Sequence, residues 1–143
     1  MSAPVTRRTA LAVAVSVAAY RPALASDPFA EAIRWAKAGD AAYRRAGDCA
    51  RAMQAAGIPL PADWRSYRAG LLRVRTEARF ALHSMTPAKA EEAAALVAYY
   101  ADRAEMSGDP VAFRAARKRL LKVAKRPGAA PIDLTPLDRG APA

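Results

Sequence analysis

From Asp27 onward, apolar residues recur at helical rather than strand spacing. Trp64, Tyr67, Leu71, Val74, Ala78 and then Ala81 or Leu82 follow one another at alternating steps of three and four. Arg65, Arg68, Arg73, Arg75 and Arg79 fill the opposite face, with Glu77 its only acid. Residues three and four apart share one face of an α-helix, so this pattern predicts an amphipathic helix running to about Ser84, with Asp63 able to cap it. Proline is favoured at the first helical position, and an Asp or Thr before it can accept the free backbone N–H groups. Asp27-Pro28, Thr86-Pro87 and Asp109-Pro110 therefore predict three more helix starts.

The first of these helices should run from Pro28 to about Ala56 and stop at Gly57, with Phe29, Ile33, Ala36, Tyr43, Ala50 and Met53 near one face. Gly39 and Gly47 inside it mark a kink, a break or a close crossing of another helix. The third runs from Pro87 to about Met106 with a narrow face of Ala90, Ala94, Val97, Tyr100 or Ala101, and Ala104, and Ser107-Gly108 ends it. The fourth, Pro110 to about Lys125, puts Phe113, Ala116, Leu120 and Val123 on one stripe. No strand alternation or fixed-period repeat is visible. Short connections favour antiparallel neighbours, so the expected fold is all-α, a small Ala-rich antiparallel bundle of about four helices. From Pro127 to Ala143, frequent Pro and Gly with little apolar content read as an extended or disordered tail.

The first residues follow a different logic. Arg7 and Arg8 precede an apolar and small-residue run from Thr9 to Tyr20, and Ala23-Leu24-Ala25 then supplies the small-x-small pattern of a signal-peptidase site before Ser26. The run is short against the roughly 20 apolar residues a membrane-crossing helix needs. Thr6-Arg7-Arg8-Thr9-Ala10-Leu11 resembles the bacterial twin-arginine (Tat) export signal. Thr6, Arg7, Arg8 and Leu11 match; Ala10 and Ala12 stand where Phe and Lys are commoner. Arg21, between the apolar run and the cleavage site, fits the same class. The resemblance implies export of a folded chain to the periplasm, with the Tat machinery and a signal peptidase as partners. The expected organisation is a signal peptide over 1–25, a helical domain over 26–126 and a tail over 127–143.

Composition changes this picture in two ways. Of the 143 residues 39 are Ala, so the 53% hydrophobic fraction overstates the core; between Asp27 and Arg126 only 26 residues are Val, Ile, Leu, Met, Phe, Trp, Tyr or Cys. The expected core is thin, with helices approaching through small side chains. The formal charge is +10, and removal of a leader holding three of the 23 basic residues and none of the 13 acids leaves +7. That excess favours anionic partners. Cys49 stands alone, so no intramolecular disulfide can form, and it reads as a small buried apolar residue or else as one half of an intermolecular disulfide.

Motifs for catalysis are missing from the sequence. His83 is the only histidine, and the helical co-ligand positions around it hold Arg79, Phe80 and Pro87. No Cys-x-x-Cys-His, phosphate-cradling glycine loop or Gly-x-Ser-x-Gly elbow occurs. Glu91 and Glu92 place charge near a helix N-terminus. Neither an enzyme nor a cofactor is expected.

Two constellations carry binding readings. In Asp63-Trp-Arg-Ser-Tyr-Arg68, aromatics alternate with arginines, so Trp64, Arg65, Tyr67 and Arg68 form a candidate stacking surface for a planar anion or nucleic acid; alternatively Trp64 and Tyr67 enter the core and the arginines are solvated. Arg114, Arg117, Lys118, Arg119, Lys122, Lys125 and Arg126 put seven positive charges into 13 residues with no acid, a candidate anion-binding helix or else a solvated face.

The segment Ser84–Tyr100, a Thr-Pro turn leading into an Ala-rich helix, resembles a group of small alphaproteobacterial proteins that carry a twin-arginine signal. The resemblance assigns no site residues. The function expected is an exported, non-catalytic helical interaction or structural module, periplasmic or secreted, with a protein partner or a second copy; the alternative is a basic adaptor that binds an anionic membrane surface. Nucleic acid becomes the partner only if the chain stays in the cytoplasm.

Overall fold

The computed structural model describes residues 27–140. The export residues Arg7, Arg8 and Leu11 and the cleavage residues Ala23, Ala25 and Ser26 lie outside the described residues. The expected all-α class stands: among the described residues there are four α-helices, α1 (Pro28–Ala55), α2 (Trp64–Ser84), α3 (Ala90–Ser107) and α4 (Pro110–Ala124), then a short 3-10 helix, Thr135–Gly140, and no strand. The residues divide into two compact units between Leu82 and His83. A single helical domain over 26–126 was expected; instead the second unit also takes in residues that were assigned to the tail.

In the first unit α1 and α2 form an antiparallel hairpin. Asp27 accepts hydrogen bonds from the N–H groups of Phe29 (2.9 Å) and Ala30 (3.2 Å), and Pro28 follows it, as its sequence signal predicts. The helix ends on a left-handed Gly57 (φ 68°), which lets Ile58 N–H return to the Met53 carbonyl at 2.9 Å and Gly57 N–H to that of Gln54 at 3.1 Å. Helix α1 is continuous through both internal glycines. Gly39 is a crossing point: a Cβ there would lie 3.1 Å from the Cα of Arg75, closer than nearly all side chains pack, so the two backbones approach tightly. Beside that crossing, Ala42, Ala46 and Leu71 are buried, with Tyr43, Trp64, Tyr67 and Val74 packed against them.

The second unit pairs α3 with α4. Gly108 (φ 65°) closes α3 and Asp109 opens α4, its carboxylate accepting from Val111 N–H at 2.8 Å, so two residues make the turn. Arg126, just beyond α4, donates to the carbonyl of Met85, before α3, at 3.0 Å; the two helices therefore run antiparallel.

Three expectations fail here, each for a physical reason. Helix α3 begins at Ala90, three residues after Pro87, because Pro87 is buried and its carbonyl accepts the Ala130 N–H at 2.8 Å. Glu92 instead reaches back to the N–H groups of Ala88 (2.7 Å) and Lys89 (3.2 Å). The buried face of α3 holds Ala93, Leu96, Val97, Tyr99, Tyr100, Ala101 and Ala104, while Ala90 and Ala94 are exposed. The two adjacent tyrosines widen the stripe beyond what alanine spacing indicates.

The tail, too, differs from its expected disorder. Residues 127–140 are ordered against α3 and α4. Leu137 is 3% exposed, its N–H bonds to the Leu134 carbonyl at 2.9 Å, and Asp138 meets Arg117 at 2.9 Å. Asp133 accepts from the Thr135 hydroxyl at 2.6 Å and its N–H at 3.0 Å, and these bonds hold the Asp133 carboxyl below its ordinary pKa. Prolines restrict the unfolded chain, so fixing this segment loses less entropy than its composition suggests, and one leucine supplies an anchor.

Candidate functional site

The close crossing at Gly39 brings the next residue, Asp40, against α2. Asp40 is the one buried charged residue among those described, 7% exposed. Arg75 Nε donates to its Oδ1 at 2.8 Å, and Arg79 Nη2 contacts the same oxygen. The two arginine side chains keep 24% and 21% of their exposure. Arg79 Nε, by contrast, is buried with no hydrogen-bond partner among the described residues. Arg75 and Arg79 were expected on the solvated face of α2. They fold inward because a carboxylate stands at a core position of α1.

The network extends toward the loop end of the hairpin through Tyr43. The Arg75 guanidinium lies 4.7 Å from the centre of the Tyr43 ring and that of Arg68 lies 5.3 Å from it, both within cation–π range. Beyond Tyr43 a groove of about 490 Å³ opens between the C-terminal half of α1 and the N-terminal half of α2. Tyr43, Arg51 and Gln54 line it from α1, Leu60 from the loop, and Trp64, Arg65, Arg68 and Leu72 from α2. No acid lines it. Arg51 pairs with Asp48 three residues earlier, whereas Arg65 and Arg68 have no carboxylate partner among the described residues.

Of the candidate stacking surface, then, Trp64, Arg65 and Arg68 meet at one groove. Tyr67 does not line it. Its ring stands 5.5 Å from that of Trp64, tilted by 50°, and packs on the Ala42–Ala46–Leu71 cluster. Partial burial raises the Tyr67 pKa, the neighbouring Cys49 thiol adds to the rise, and Arg45 opposes it. Cys49 itself is exposed on α1, against the expectation of a buried thiol. The alanines around it fill the interface at this level, leaving the sulfur on the outer side.

The basic residues of α4 divide. Arg114, Lys118, Arg119, Lys122 and Lys125 are exposed, and all of these but Arg119 share one side of the helix with the exposed Val111 and Leu121. Arg117 pairs with Asp138, and the half-buried Arg126 holds the Met85 carbonyl, so both serve the packing of the second unit as well as its charge. His83 is half-buried against Tyr100, whose hydroxyl lies 2.7 Å from the ring nitrogens. Among the described residues no three His, Cys, Asp or Glu side chains come together as a metal site would require, and no helix is long and apolar enough to cross a membrane.

Asp40 was missed in the sequence, although a signal existed. It falls four residues after Ala36 and three before Tyr43, on the apolar phase of α1, where an unpartnered charge would be costly. Comparison with protein-family models, curated proteins and solved structures finds no match to this chain.

Proposed function

We propose that this chain is an exported, non-catalytic helical interaction module that docks on an anionic membrane surface through the exposed face of α4. One observation carries the reading. Val111, Arg114, Lys118, Leu121, Lys122 and Lys125 recur at steps that keep them on one side of the helix, all are exposed, and α4 contains no acid. Cations interspersed with apolar side chains suit a lipid interface, where the ammonium and guanidinium groups meet phosphates and the apolar groups enter the acyl boundary. Each basic residue near such a surface contributes roughly 1 kcal/mol, so the four cations of this set supply about 4 kcal/mol before the apolar contribution. Nucleic acid would reward the charges and leave Val111 and Leu121 unused. Export rests on the resemblance of residues 6–11 to a twin-arginine signal.

The test is co-sedimentation of the protein with vesicles of neutral lipid, with and without one-third anionic lipid, across a salt series. Binding should require the anionic lipid and weaken with salt. Changing Arg114, Lys118 and Lys122 together to Gln should weaken it on the order of a hundredfold, the equivalent of about 3 kcal/mol. Equal binding to neutral vesicles, or no binding at low salt, defeats the reading; binding to duplex DNA but not to vesicles would replace it. Cell fractionation should find a mature chain beginning at Ser26 outside the cytoplasm, and an uncleaved cytoplasmic chain when Arg7 and Arg8 are changed to Lys.

A further inference from the structure

The groove between α1 and α2 shares no residue with the basic face of α4 and has chemistry of its own. Its volume of about 490 Å³ falls within the roughly 300–1,000 Å³ typical of small-molecule sites. Its lining combines ring and aliphatic surface, from Trp64, Leu60 and Leu72, with the side chains of Arg65 and Arg68. We infer that this groove binds a planar aromatic acid, a flat ring system carrying a carboxylate or phosphate group.

Such a ligand carries a counterpart for both kinds of surface in the lining. Guanidinium forks pair with carboxylate or phosphate oxygens through parallel hydrogen bonds, and no acid lines the groove to compete for them. A flat ring laid on Trp64 covers apolar surface that a small inorganic anion would leave wet, and a neutral ring would leave the cations unused. Part of the wall, around Trp64 and Arg68, is also held in place before any ligand arrives. Arg68 rests near Tyr43, and Trp64 packs on both Tyr67 and the buried cluster of Ala42, Ala46 and Leu71. Asp40 in turn fixes Arg75 beside Tyr43. Preorganised side chains lose less entropy on binding, which favours affinity for a small ligand.

Calorimetric titration of the full chain tests this with four probes: 2-naphthoate, adenosine monophosphate, neutral 2-naphthamide and inorganic phosphate. Saturable binding of 2-naphthoate or the nucleotide at one equivalent is expected, with 2-naphthamide and phosphate each weaker by about tenfold or more. Arg65→Gln and Arg68→Gln should each weaken the bound probe about tenfold, while Arg44→Gln, an exposed cation on α1 outside the groove, should leave it unchanged. The preferred head group distinguishes carboxylate from phosphate as the natural chemistry. The inference is overturned if no aromatic acid saturates by millimolar concentration, if the neutral amide binds equally well, or if both arginine variants bind like the wild type with an unchanged circular-dichroism melt. Because every variant lies in the first unit, failure here leaves the membrane reading of α4 untouched.

Discussion

Replacing Asp40 with alanine removes a buried carboxylate that two guanidiniums share. Breaking a buried pair by deleting one partner costs about 3–5 kcal/mol when the other charge stays desolvated. Here the arginine side chains retain 24% and 21% exposure, so their heads can turn toward water and the loss is discounted to about 2–3 kcal/mol. At roughly 0.05–0.15 kcal/mol per residue, a unit spanning residues 27–82 has about 3–8 kcal/mol of stability, so the variant sits near the edge of folding. Both tryptophans, Trp35 and Trp64, lie in that unit, so fluorescence reports on it alone. With a urea slope of about 1 kcal/mol/M, Asp40→Ala should lower the fluorescence midpoint by about 2–3 M, and Asp40→Asn, which keeps the shape and one acceptor, by about half as much. Adding Arg75→Met and Arg79→Met to Asp40→Leu should recover most of the loss, since apolar groups of similar volume often replace a buried ion network without penalty. Arg79→Met alone should cost less than Arg75→Met, because Arg79 already carries an unsatisfied buried Nε whereas Arg75 also holds the Tyr43 ring. A shift below about 0.5 M for Asp40→Ala would instead place this network with surface ion pairs of little consequence.

Gly39→Leu should destabilise the first unit by about 3 kcal/mol or more, since its side chain meets the Arg75 backbone, while Gly70→Ala, with open space at its Cβ and ordinary helical φ, should stabilise it by about 0.5–1 kcal/mol; thermal melts of the two variants read both. Leu137→Ala should cost about 2–3 kcal/mol and release the segment after Pro127 to limited proteolysis, whereas a truly unstructured tail would be cut equally fast in both proteins.

Helix existence was legible because the chain punctuates itself clearly. Asp27-Pro28 and Asp109-Pro110 open α1 and α4 where the caps predict, and the Trp64-to-Leu82 stripe marks the inner face of α2. Thr86-Pro87 misled because the same dipeptide can serve tertiary packing, and only the position of Ala130 shows that Pro87's carbonyl is already engaged. The fate of Arg75 and Arg79 depends on Asp40, 35 and 39 residues earlier, and helical periodicity cannot see across a hairpin. The aromatic–arginine run at 64–68 was visible as chemistry, yet its concavity comes from Tyr43, Arg51 and Gln54 on another helix. Ordering of the tail turns on Leu137, a lone apolar residue in a segment whose average composition reads as disordered.

Ten of the 21 buried apolar residues among those described are alanines, including Ala36 and Ala78 with no exposed surface at all. Such a core has little bulk to lose and little room to gain any, since one added branch in a packed interface costs about 1–3 kcal/mol. Every alanine codon becomes a valine codon through a single C-to-T transition, among the commonest of point mutations. The chain's genetic vulnerability therefore lies in its smallest side chains. Mutational drift that would leave a leucine-rich core merely looser would instead push these helices apart, one methyl pair at a time.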